Sequence, residues 1–154
     1  MTSSTPIVRA GELAQLSGDA IRLVGDESRA DRLFQGHLSW RRLRSGLSLH
    51  CSDCLELQDF ATQAEARPHL NFILFLQGRS EVSYDGKPFT FGTPRTGCEG
   101  VTIALNEPML FARRARRGQH IRKVSVSLTP EWFEASGFEA QAELKALLQG
   151  DYRP

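Results

Sequence analysis

The chain has 154 residues, nineteen basic against eighteen acidic side chains, a net charge of +1 and three cysteines. One domain with a substantial core fits that length, and the charge balance argues against a nucleic-acid coat or a membrane surface. No segment is apolar for long enough to cross a bilayer, the first residues (MTSST) lead into no signal-peptide core, and an odd cysteine count without an export signal reads as reduced thiols. The chain is therefore expected to be soluble and cytoplasmic.

Residues 1–9 are polar and contain Pro6, which leaves little to bury. Leu13, Leu16, Ala20 and Leu23 recur at helical intervals interrupted by Gly18, so a short helix is expected between Ala10 and Val24, followed by a charged loop over Gly25 to Arg32. From His37 the pattern is β. Leu38, Trp40 and Arg42 share one side of a strand broken by Ser45-Gly46. Leu47, Leu49 and Cys51 share one side of the next, with Ser48 and His50 on the other, and Leu55 and Leu57 begin a strand running toward Ala66.

The apolar run Leu70 to Leu76 is expected to stop at a turn at Gln77-Gly78. Val82 and Tyr84 then alternate with Glu81 and Ser83, Asp85-Gly86 supplies a hairpin turn, and Phe89 to Phe91 returns, making a three-strand meander. Further strands are expected at Val101 to Leu105, Met109 to Arg113 and Lys123 to Leu128, with a turn at Asn106-Glu107-Pro108. The period then changes. Thr129-Pro130-Glu131-Trp132 is a helix start, with Thr as N-cap, and that helix ends at Gly137. A second helix is expected from Glu139 to about Gln149, carrying Ala140, Leu144, Leu147 and Leu148 on one stripe. About eight strands and two helices read as a mainly β chain: a small antiparallel barrel or jelly roll with a two-helix arm.

A strand ending in Leu76-Gln77-Gly78, a hairpin at Asp85-Gly86, and a closing strand leading into Leu128-Thr129-Pro130-Glu131-Trp132 together resemble the N-terminal effector domain of AraC/XylS-type transcriptional regulators. The similarity spans about Gly36 to Gly137 and is greatest to the branch that includes siderophore-responsive regulators such as the pyochelin regulator. The resemblance implies a cupin-like barrel that binds a small effector, a helical segment that pairs subunits, and a C-terminal DNA-binding module with two helix-turn-helix motifs. The five residues beyond Gln149 cannot hold such a module. The chain thus divides into a lead-in arm (1–35), an effector-binding barrel (36–128) and a helical dimerisation segment (129–154), with DNA reached only through a module outside it. The stripe Ala140, Leu144, Leu147 and Leu148 is too apolar for a lone surface helix, and the resemblance favours a homodimer over packing on the barrel.

His50, Cys51, Cys54, His69, Cys98 and His120 are the candidate metal donors. Cys51 and Cys54 point to opposite faces of a regular strand, and there is no second CxxC, so no metal or other cofactor is expected. Nor does any nucleophile lie beside a suitable base. The leading expectation is a non-enzymatic sensor, and the alternative is a stand-alone metal-dependent cupin-like enzyme. A cavity lined by inward strand faces would use aromatic planes and isolated polar groups, which selects Trp40, His50, Asn71, Phe75, Tyr84 and Arg113 as ligand-binding residues. Each has a plain alternative in the core, at a strand start or in solvent, because alternation alone does not say which face is inside. The basic run Arg113-Arg114-Ala115-Arg116-Arg117, with Arg122-Lys123, reads as a solvated hairpin tip, against an anion clamp or a phosphate contact.

Overall fold

The computed structural model describes residues 4–18, 20–25, 31–93 and 97–137. In chain order these form β1 (Ile7–Arg9), α1 (Ala10–Leu16), β2 (Arg22–Val24), β3 (Arg32–Arg44), β4 (Leu47–Glu56), β5 (Phe60–Ala66), β6 (His69–Tyr84), β7 (Lys87–Thr93), β8 (Glu99–Leu105), β9 (Met109–Ala115), β10 (His120–Leu128) and α2 (Pro130–Ser136). The ten strands make one curled antiparallel sheet in the order β1-β3-β4-β10-β6-β9-β5-β2, with β7 and β8 also paired to β6. This is a half-open antiparallel barrel. Its edges, β1 and β2, do not pair with each other; α1 runs between them, and its buried Leu13 packs with Val8, Leu33, Phe34 and Phe60.

The expected turn at Gln77-Gly78 is absent. β6 is a single strand of 16 residues, and Gly78 is a bend inside it with φ 86°. Before the bend β6 pairs with β10 and β8; after it, with β7 and β9. A Cβ at Gly78 would collide with the backbone carbonyl of His120, so only glycine lets the strand fold over this closely. The hairpin that follows is as expected, with Asp85 and Gly86 both at positive φ (47° and 80°).

Other boundaries shift. The expected helix between Ala10 and Val24 ends at Leu16, and Arg22–Val24 instead pair with β5. The strand expected from Leu55 to Ala66 is two elements, β4 and β5, because the chain turns at Leu57 to Asp59, where the Leu57 amide bonds the Leu33 carbonyl. α2 starts at Thr129 and stops at Gly137 in the left-handed conformation, as expected, although the Thr129 hydroxyl bonds no helix amide. Its Phe133 and Trp132 pack on Leu70, Ala104 and Leu128, on the outward face of the sheet rather than over the barrel mouth. The second helix of the expected arm, with Ala140, Leu144, Leu147 and Leu148, lies outside the described residues.

Candidate effector cavity

β4, β10 and the first half of β6 lie side by side, and their register aligns three rungs across them: Ser48–Ser127–Asn71, His50–Ser125–Ile73 and Ser52–Lys123–Phe75. β3 extends the second and third rungs with Trp40 and Leu38. All of these residues line a cavity of about 340 Å³. The opposite wall comes from Thr62 and Ala64 of β5, Phe111 and Arg113 of β9, Ser80, Val82 and Tyr84 of β6, and Phe91 of β7. Along β4 and β10 polar residues face inward, beside Asn71, Ile73 and Phe75 of β6, and Leu49, Cys51, Val124, Val126, Phe72 and Leu74 take the outward positions. The usual arrangement of a half-buried strand is reversed there.

The rungs dictate the contacts. Trp40 and His50 are cross-strand partners, so their rings stack with centroids 4.3 Å apart and planes 17° from parallel. The His50 Nδ1–H donates to the Ser39 carbonyl at 3.0 Å, which leaves Nε2 as an acceptor. Burial, with Lys123 nearby, lowers the His50 pKa to about 3, so the ring is neutral. Lys123 and Phe75 are likewise neighbours on one rung, and the Lys123 Nζ lies 5.6 Å from the Phe75 ring centre. Burial, helped by Arg113, pulls the Lys123 pKa down to about 7. The Ser125 hydroxyl donates to Asn71 Oδ1 at 2.7 Å.

Across the cavity, Arg113 is ion-paired to Glu56, whose second carboxylate oxygen accepts the Arg116 backbone N–H at 2.6 Å. Glu56 is 2% exposed, so both of its oxygens are engaged inside the protein. Lys123 makes no ion pair with any described residue. Ser80 is buried, and its hydroxyl has no hydrogen-bond partner among the described residues.

All six residues selected from the sequence, Trp40, His50, Asn71, Phe75, Tyr84 and Arg113, line this one cavity. Tyr84 and Phe75 also belong to the buried cluster with Val82, Phe91 and Ile103, so their core and lining roles coincide. Sequence reasoning placed Lys123 only in the basic run read as solvated, and missed Ser125, Ser127, Ser48, Ser52 and Ser80. The available signal was the matched alternation of Ser48-x-His50-x-Ser52 and Lys123-x-Ser125-x-Ser127, which becomes informative once those two strands are known to be neighbours.

The basic run is taken apart by strand alternation, not gathered at a hairpin tip. Arg113 points inward, Arg114 is exposed, Ala115 is fully buried, and Arg116 bonds Glu81 at 2.9 Å from the outside. Cys54 is buried with its thiol on the His37 carbonyl, and burial pushes its pKa up to about 11, whereas Cys51 faces outward and Cys98 is exposed. Among the described residues no three or more His, Cys, Asp or Glu side chains are grouped to hold a metal ion. No helix of the described residues is long and apolar enough to cross a membrane.

In solved structures, the AraC-like transcriptional activator CuxR superposes with a TM-score of 0.50 at 14% identity, covering 88% of this chain and 51% of that one. That likeness is one of fold, and the chain spans about half the length of CuxR. KdgF from Halomonas sp. (TM-score 0.29, 12% identity, 60% of this chain and 88% of that one) and an RmlC-like cupin from Shewanella frigidimarina (0.30, 14%, 63% and 89%) are more remote. No protein of curated function matches the sequence significantly. Residues 35–154 match the family described as Regulatory protein PchR N-terminal domain. The chain belongs to that family, the regulatory N-terminal domains of AraC-type transcriptional regulators.

Proposed function

We propose that this domain is a non-enzymatic sensor: a small effector enters the barrel, and its binding biases a DNA-binding module attached in the full-length regulator. The observation that carries the proposal is the reversed inner wall, where β4, β10 and β6 turn serines, a histidine, a lysine and an asparagine toward a cavity of about 340 Å³. A sheet whose only task was to fill its own core would turn Val124, Val126 and Leu74 inward. A cavity of mostly aromatic and apolar lining with a few placed polar groups is the expected form of a small-molecule site. Catalysis is disfavoured by the chemistry of the candidate groups, since the Cys54 thiol is buried, raised in pKa and bonded to a carbonyl, and no base lies against it.

Signalling requires that the effector bind one arrangement of barrel and arm better than another. The family supports a homodimer paired through Ala140, Leu144, Leu147 and Leu148, acting on promoter DNA in the cytoplasm. Light scattering at high concentration tests the pairing, and a monomer overturns it.

The effector reading is tested by thermal shift against a panel that includes iron-loaded siderophores and small aromatic acids. A true ligand raises the melting point with concentration, and Ser125→Leu, which fills the cavity, removes that response. A panel without any shift, or a shift that survives Ser125→Leu, overturns it.

A further inference from the structure

Two cations line the cavity, and only one is balanced. Arg113 is neutralised by Glu56, whose carboxylate is fully used by Arg113 and the Arg116 amide. His50 carries no charge. Lys123 makes no ion pair with a described residue, so the Glu56, Arg113 and Lys123 set leaves the lining one positive charge in excess, on a side chain in contact with Phe75. A second unmet demand is the buried, unpartnered hydroxyl of Ser80 in the opposite wall. Beside Lys123, one rung away, lies the flat Trp40–His50 pair.

From this geometry, and resting on the effector reading above, we infer that the natural ligand is a small monoanion with one flat conjugated ring system, its negative group paired with Lys123 and its ring on the Trp40–His50 wall. An anionic guest supplies the ion-pair partner that Lys123 lacks among the described residues, and a cationic one would add a third positive charge. A dianion would lack a second counter-charge, because Glu56 already satisfies Arg113. The cavity lies at the small end of ligand-site volumes, which suits one or two fused rings.

The test uses the purified chain at pH 6.5 and three shape-matched probes, 2-naphthoate, 2-naphthamide and 2-naphthylmethylamine, followed by tryptophan fluorescence and thermal shift. Naphthoate is expected to bind at least about tenfold tighter than the amide, and the amine not at all. Lys123→Met should erase the difference between acid and amide while leaving the amide's affinity unchanged. The exposed-site control Lys87→Met should leave the difference intact, and Lys123→Gln serves if the methionine variant does not fold. Amide or amine binding as tightly as the acid overturns the anion inference and leaves the effector cavity standing. An acid preference that persists in both Lys123 variants also overturns it. Failure of all three probes overturns it too, and the separate ligand panel then decides whether the cavity receives an effector at all.

Discussion

The two faces of the wall formed by β4, β10 and the first half of β6 differ in the opposite sense from most β domains. Inside stand Ser48, His50, Ser52, Lys123, Ser125, Ser127 and Asn71, with Ile73 and Phe75 of β6; outside stand Leu49, Cys51, Val124, Val126, Phe72 and Leu74, the last two 44% and 42% exposed. Across the cavity the second wall follows the ordinary rule, with Val82, Tyr84 and Phe91 buried and Arg79, Glu81 and Thr90 exposed. A wall that keeps polar groups inside gives up hydrophobic stabilisation there, and the fold compensates in the clusters at its two ends, around Phe34 and Phe60 and around Leu70 and Phe133.

Substitutions on either side of the inner wall can break or sharpen this contrast. The largest expected effect is at Glu56. Glu56→Gln leaves Arg113 and Lys123 as two unbalanced cations in one chamber and should cost about 3–5 kcal/mol by urea denaturation. Phe75→Ala comes next, at about 3 kcal/mol, toward the low end for a buried phenylalanine because the space beside it is already open. It should also lower the melting point without changing the cavity's other wall.

Third is the pH response of Lys123, the group whose folded pKa is lowered to about 7. Between that value and its unfolded pKa near 10.4 the unfolded chain holds one proton more, so stability should rise with pH by up to about 1.4 kcal/mol per unit above pH 7. His50, Glu56 and Arg113 are the charged or titratable groups that face it. Lys123→Met should flatten that limb. On the acid side the lowered pKa of His50, about 3, predicts falling stability as pH drops below about 6.5, since the unfolded chain takes up a proton that the folded ring refuses. The smallest effect belongs to the neighbour of Phe75 on the other face: Leu74→Ser should change stability by less than about 1 kcal/mol. A larger loss would mean that the outward face is covered in solution.

Strand positions and the Asp85-Gly86 hairpin were legible because alternation and positive-φ pairs are local properties. Facing direction was not. Val124 against Lys123 is decided by which strands become neighbours, and the register that sets Ser48 opposite Ser127 is a long-range fact. The same limit explains why Trp40, His50 and Arg113 could be selected as candidates while Lys123, one rung from His50, was assigned to a solvated basic run. Gly78 misled for a different reason. A glycine after an apolar run signals a turn or a bend with equal force, and only the crossing of the His120 backbone distinguishes them.

That bend has a mechanical consequence. Because one continuous backbone supplies Phe75 to the polar wall and Ser80 and Val82 to the opposite one, the spacing of the chamber is fixed at a single pivot peptide. Phe75 on one wall is therefore joined through main chain to the far half of the strand and to the β7 and β9 ladders paired with it.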